Sequence, residues 1–148
     1  DVNECTTNQD NCHSDAACTN TQGGFTCACD PGYAGDGVKS CVNINECLSP
    51  TACGANAVCF DYPGGYSCAC GNGYEGDPNT GCTDINECTN PTSCAANATC
   101  SNRPSTYDCT CDSGYTGDGF TSCTNVNECA NNTDTCDTNA ACVDTQGS

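Results

Sequence analysis

A small disulfide-rich fold, mainly β and irregular, built of tandem modules that form an extended rod, is what this sequence predicts, on three observations. The 148 residues include 21 cysteines. Those cysteines recur in one spacing at a period of about 41 residues. Large apolar side chains are scarce: methionine and tryptophan are absent, Leu48 is the sole leucine, and the valines and isoleucines sit mostly one per repeat boundary instead of in periodic runs. Disulfides must therefore replace a buried core, as in small secreted domains, and the compartment is read as oxidising and extracellular.

Each repeat opens on one short motif: Asp1-Val2-Asn3-Glu4-Cys5, Asn43-Ile44-Asn45-Glu46-Cys47, Asp84-Ile85-Asn86-Glu87-Cys88 and Asn125-Val126-Asn127-Glu128-Cys129. Oxygen-bearing side chains around an apolar residue suit a hard cation such as Ca2+. The boundaries follow as 1–42, 43–83, 84–124 and 125–148, the last being the first half of a repeat.

Six cysteines fill the first repeat (Cys5, Cys12, Cys18, Cys27, Cys29, Cys41), six the second (Cys47, Cys53, Cys59, Cys68, Cys70, Cys82) and six the third (Cys88, Cys94, Cys100, Cys109, Cys111, Cys123). Only the first gap varies, so loop length is tolerated there alone. The fourth repeat supplies Cys129, Cys136 and Cys142 before the sequence reaches Ser148. Cys136 is therefore expected to lack its partner among these residues, which read as a fragment of something longer, secreted under the direction of a segment outside them. Six cysteines allow fifteen pairings, and spacing does not choose among them.

Between the third and fourth cysteines, Gly23-Gly24 and Gly64-Gly65 supply turns between short extended segments, which predicts a hairpin. The third copy, through Arg103-Pro104-Ser105-Thr106, has no glycine there, so its geometry is left open. After the fifth cysteine each repeat carries Gly-Tyr-x-Gly-Asp (Gly32–Asp36, Gly73–Asp77, Gly114–Asp118), a second, smaller hairpin. Tyr33, Tyr74 and Tyr115 in it are expected to cover the adjoining face of the next repeat.

A formal net charge of −17, with only Lys39 and Arg103 basic, excludes nucleic acid as a partner. No apolar run is long enough to span a membrane, and none of these residues is expected to contact one. His13 is the only histidine, so the Cys-x-Cys pairs do not read as zinc or soft-metal sites, and no nucleophile or acid–base constellation marks an enzyme. Remaining acids such as Asp10, Asp15, Asp134 and Asp137 read as a solvated face.

Taken together, the six-cysteine spacing, the Asp/Asn-x-Asn-Glu-Cys opening, and the Asp or Asn two residues after the third cysteine with an aromatic residue five positions on resemble tandem calcium-binding epidermal-growth-factor-like domains. Such domains occur in fibrillins, Notch receptors and uromodulin. The resemblance implies first-to-third, second-to-fourth and fifth-to-sixth pairing: Cys5 with Cys18, Cys12 with Cys27, Cys29 with Cys41, and so on, with Cys129 joined to Cys142. It also implies four Ca2+ sites. The first uses the side chains of Asp1, Glu4 and Asn20 with the carbonyls of Val2, Thr21 and Gly24. The second uses Asn43, Glu46 and Asp61 with Ile44, Tyr62 and Gly65. The third uses Asp84, Glu87 and Asn102 with Ile85, Arg103 and Thr106. The fourth uses Asn125, Glu128 and Asp144 with Val126, Thr145 and Ser148. Sites one and three join an opening Asp to a hairpin Asn, while sites two and four reverse the order, so each keeps two carboxylates. Four such ions would bring the formal charge from −17 to about −9.

Asn97-Ala98-Thr99 and Asn131-Asn132-Thr133 fit the N-glycosylation pattern. By resemblance, Thr99 matches an O-fucose position, Thr116 an O-linked N-acetylglucosamine position, and Asn20, Asp61 and Asn102 the β-hydroxylation pattern. The function expected is a secreted, non-enzymatic, calcium-stiffened spacer or filament-forming matrix glycoprotein whose partners are calcium and other repeats of the same chain or filament. The alternative is a receptor or adhesion stalk that binds a protein ligand through one repeat, with Phe60, Tyr62 and Phe120 as candidates for its patch.

Overall fold

Turn-forming glycine and asparagine between short cysteine-bearing segments leave room for strand pairs and little else. The computed structural model, which describes all residues from Asp1 to Ser148, has that form. The strands make six two-stranded sheets. The larger hairpins are β1 (Ala16–Thr21) with β2 (Gly24–Cys29), β5 (Ala57–Tyr62) with β6 (Gly65–Cys70), and β9 (Ala98–Arg103) with β10 (Thr106–Cys111). The smaller are β3 (Tyr33–Gly35) with β4 (Cys41–Asn43), β7 (Tyr74–Asp77) with β8 (Gly81–Asp84), and β11 (Tyr115–Gly117) with β12 (Cys123–Asn125).

The chain falls into two compact units, Asp1–Gly71 with Glu75–Thr83, and Asn72–Tyr74 with Asp84–Ser148. Neither has an apolar core of the ordinary kind. The buried hydrophobic residues are Cys41, Cys82 and Cys109, at 8%, 4% and 8% exposure, and the other buried residues are Gly37 and Gly119.

Sulfur does the holding instead. In each large hairpin the third and fourth cysteines stand directly opposite: Cys18 with Cys27, Cys59 with Cys68, Cys100 with Cys109. Opposed residues point to one face, and from it one cysteine reaches the first of its repeat and the other the second. The bonds are Cys5–Cys18, Cys12–Cys27 and Cys29–Cys41, then Cys47–Cys59, Cys53–Cys68 and Cys70–Cys82, then Cys88–Cys100, Cys94–Cys109 and Cys111–Cys123, and finally Cys129–Cys142. Cys136 is free and exposed.

The opening motif adds what the sequence did not show, a helical turn. It is the four-residue α1 (Glu4–Thr7) in the first repeat and α2 (Glu128–Asn131) in the fourth, with 3-10 turns at Glu46–Leu48 and Glu87–Thr89 between. The motif asparagine caps three of these. Asn3 accepts from the Thr6 amide, Asn86 from that of Cys88 and Asn127 from that of Ala130, whereas Asn45 makes no such bond.

The aspartate of Gly-Tyr-x-Gly-Asp proves to be the organiser of the second hairpin's loop. Asp36 Oδ1 accepts from the amides of Val38, Lys39 and Ser40 at 3.0, 2.7 and 3.1 Å, and Asp118 Oδ1 from those of Phe120, Thr121 and Ser122 at 3.0, 2.8 and 3.3 Å. Asp77 holds Asn79 by its amide and side chain. The Thr121 hydroxyl and then the loop amides lower the Asp118 carboxyl from the usual 3.8 to about 2, and the Ser40, Lys39 and Val38 amides lower Asp36. The folded pKa is depressed, so this contribution is complete above the unfolded value and is lost as pH falls through the folded one. Carboxyl NMR titration of the oxidised chain should place the Asp118 midpoint near pH 2, with its loop loosening between about pH 4 and 2; a midpoint at 3.8 would refute this hold.

Candidate metal centre

The first residue of each later opening motif is also the last residue of the preceding hairpin. Asn43 pairs with Tyr33 in the β3–β4 ladder, and Asn125 with Tyr115 in the β11–β12 ladder. Asp84 likewise ends β8. The next amide is fixed as well, since those of Ile44, Ile85 and Val126 donate to the carbonyls of Gly32, Gly73 and Gly114 at 2.8, 2.9 and 2.8 Å. These residues are therefore aimed by the repeat before them.

Each then meets its hairpin partner directly. Asn20 Nδ2 donates to Asp1 Oδ2 at 2.9 Å, Asn43 Nδ2 to Asp61 Oδ2 at 2.9 Å, Asn102 Nδ2 to Asp84 Oδ2 at 2.7 Å, and Asn125 Nδ2 to Asp144 Oδ2 at 3.0 Å. The alternation of Asp and Asn along the chain thus has a local cause: the pair is one amide donor and one carboxylate acceptor, in either order. The Oδ1 of the opening residue accepts a turn amide, from Gly23 to Asp1 at 2.7 Å, Gly64 to Asn43 at 2.7 Å, Ser105 to Asp84 at 2.5 Å and Gly147 to Asn125 at 2.6 Å. These four turn residues were missed in the sequence, where the first glycine of Gly-Gly read only as a turn former.

Six buried side-chain oxygens have no hydrogen-bond partner: Oε2 of Glu4, Glu46, Glu87 and Glu128, Oδ1 of Asn20, and Oδ1 of Asp144. All six belong to the expected ligand residues, and no other residue has such an atom. A buried carboxylate oxygen without a donor needs a cation to offset its desolvation, and an all-oxygen set of carboxylates, amides and carbonyls suits Ca2+. The carbonyl residues lie close by, with Thr21 opposite Gly24, Tyr62 opposite Gly65 and Arg103 opposite Thr106 at the hairpin ends. In the fourth repeat Thr145 and Ser148 face each other through an amide-to-carbonyl bond of 3.0 Å. Two further acid–cysteine groupings, Asp10 with Cys12 and Cys18 and Asp134 with Cys136 and Cys142, offer at most one free thiol between them, because Cys12, Cys18 and Cys142 are in disulfides.

The third turn keeps the form of the others without glycine. Ser105 takes a left-handed φ of 65°, where Gly23, Gly64 and Gly147 have 87°, 85° and 84°. A side chain in that region costs on the order of 1 kcal/mol or more. Ser105→Gly should therefore stabilise the β9–β10 hairpin by about 1 kcal/mol after glycine's greater unfolded freedom is deducted, read as roughly five-fold slower amide exchange. Exchange unchanged or faster would refute this.

Of the modification positions, Asn97 and Asn131 are exposed, Asn97 at a φ of 61°. Thr99 is exposed in β9, its hydroxyl donating to Asp112 at 2.6 Å, and Thr116 is exposed in β11. Asn20 is half-buried, and Asp61 and Asn102 are exposed.

Disulfide-stapled hairpin repeats with an unpartnered buried glutamate oxygen at each opening define a class of small module. The chain belongs to the calcium-binding EGF domain family, whose model matches residues 1–41 and 43–82, and an EGF domain model matches residues 88–123. It is 47% identical over 53 residues to EGF-containing fibulin-like extracellular matrix protein 1 of Mus musculus, a stretch covering 36% of this chain and 10% of that protein. It is also 51% identical over 47 residues to Signal peptide, CUB and EGF-like domain-containing protein 3 of Homo sapiens, covering 32% of this chain and 5% of that protein. The matched stretches are thus a tenth or less of these relatives.

Proposed function

We propose that this chain is a calcium-stiffened extracellular rod of three successive repeats (1–42, 43–83, 84–124) and the first half of a fourth (125–148), serving as a structural spacer or a filament or matrix element and carrying no catalysis of its own. The observation that carries this reading is the set of six orphaned oxygens, confined to the opening glutamates and their hairpin partners. Ca2+ supplies those oxygens with a divalent positive charge. Asp1, Glu4 and Asn20, Asn43, Glu46 and Asp61, Asp84, Glu87 and Asn102, and Asn125, Glu128 and Asp144 are the side chains assigned to hold it. Because Asn43, Asp84 and Asn125 also close the preceding hairpins, order at each site is order at a joint. No helix is long and apolar enough to cross a membrane, and a relative's printed name places it in the extracellular matrix, which supports an extracellular setting.

The test is small-angle scattering on oxidised protein, in calcium and then in excess chelator. The joints have no staple of their own while each complete repeat has three disulfides, so chelation should shorten the maximum dimension and produce the profile of a flexible string with every disulfide intact. A rod profile unchanged in chelator would mean that packing alone stiffens the joints.

A second reading, a recognition stalk, is favoured by the exposure of Phe60 and Tyr62 at 53% and 50%.

A further inference from the structure

Of the chain's eleven exposed large hydrophobic residues, six (Ile44, Leu48, Val58, Phe60, Tyr62 and Tyr66) lie in residues 43–83. Three of them, Val58, Phe60 and Tyr62, alternate along β5, so they share one face of the β5–β6 hairpin. Their exposures are 47%, 53% and 50%. Opposite them on β6 stand only Ala69, Ser67 and Gly65, too small to cover the rings. The fold does not require this stripe. The same register in β1 carries Ala17, Thr19 and Thr21, and in β9 Thr99, Ser101 and Arg103, on ladders of the same length and disulfide pattern.

Charge indicates what the stripe fits. Residues 43–83 hold Glu46, Asp61, Glu75 and Asp77 and no lysine, arginine or histidine, within a chain of formal net charge −17. A second copy of this face would set acid against acid, whereas a basic partner is drawn to it. Apolar side chains spaced about 7 Å apart along a strand match an extended segment, whose own side chains repeat at that distance. β5 pairs only with β6, so no other strand occupies its second edge.

We propose that the Val58–Phe60–Tyr62 face docks an extended basic segment of a partner protein, apolar side chains on the stripe and lysine or arginine favoured by the net negative charge of the repeat. The inference deepens the recognition reading, and its test keeps the calcium site occupied so that only Glu75 and Asp77 of the repeat's acids stay uncompensated. The probe is a short peptide alternating lysine and valine, titrated by NMR into the oxidised, calcium-loaded chain. A glutamate-for-lysine peptide and one of the same composition in blocks serve as controls. The alternating peptide should shift the Val58 methyls and the Phe60 and Tyr62 rings, bind more weakly in salt, and outbind both controls. Val58→Thr with Phe60→Thr should weaken it about ten-fold, while Thr19→Ala at the matching place in β1 leaves it unchanged. Ala69→Lys, which adds a like charge beside the stripe without altering it, should weaken it too and covers the case in which the threonine variant misfolds. Three results would overturn the proposal: shifts spread evenly over all repeats, binding to both the stripe and the Ala69 variants as tight as to the parent chain, or sedimentation showing that the chain pairs with itself through Phe60. None of them bears on the chelator experiment, which tests the joints alone.

Discussion

Reduction of the ten disulfides is expected to abolish the fold of every repeat, in calcium or without it. Cys41, Cys82 and Cys109 are the only buried hydrophobic residues, so no apolar core remains once sulfur no longer fixes the hairpins. Loss of one native disulfide from a small secreted domain costs about 2 to 5 kcal/mol and often prevents folding, and each complete repeat would lose three. Amide NMR spectra after complete phosphine reduction should collapse to the narrow dispersion of a disordered chain. Retention of the β5–β6 ladder amides in the reduced protein would show that the hairpins hold themselves, contrary to the account given above.

Glu46→Gln is expected to weaken calcium binding at its site by about ten-fold or more without disturbing the Cys47–Cys59 bond. Glu46 Oε2 is buried and accepts no hydrogen bond, and the amide both removes a charge and offers N–H groups where the site needs oxygen. Calcium titrations against a chromophoric chelator, followed at the Gly64 amide, give the comparison. Exchanging the pair by Asn43→Asp with Asp61→Asn is the control: it reproduces the order of Asp1 and Asn20 and should bind like the parent chain. Equal affinity of the glutamine variant would remove Glu46 from the ligand set.

The disulfide pairing came from the family resemblance, since spacing alone leaves fifteen pairings open, whereas both hairpins were legible because turn residues carry them directly. The helical turn was not, since asparagine suits a cap and a ligand equally well, and only the structure shows Asn3, Asn86 and Asn127 accepting from amides of their own turns. The amides of Gly23, Gly64, Ser105 and Gly147 that anchor the opening residues were hidden for a simpler reason, that a backbone N–H has no letter in the sequence. Asp36 and Asp118 read as turn residues, but their multiple loop bonds depend on backbone curvature that composition does not record. At Arg103-Pro104-Ser105-Thr106 the missing glycine left the turn undetermined. The ladder register, with Arg103 opposite Thr106, holds Ser105 in the left-handed conformation all the same.

The approach of one repeat's glycine to the next repeat's turn has an evolutionary consequence. A Cβ on Gly32 would lie 2.4 Å from Gly64 C, one on Gly73 would lie 2.3 Å from Ser105 O, and one on Gly114 would lie 2.2 Å from Gly147 O. Main chain faces main chain at each approach, with the rings of Tyr33 and Tyr115 also packed on Gly64 and Gly147, 3.1 Å from where a Cβ on either would stand. Excision of residues 43–83 in frame would bring Gly32 to Ser105, a junction of the same chemistry as the one Gly73 makes now. Genes encoding such a chain can gain or lose whole copies by unequal crossover without inventing a new junction, and reach becomes heritable in steps of one repeat. Part-repeat deletions have no such freedom, because they strand cysteines.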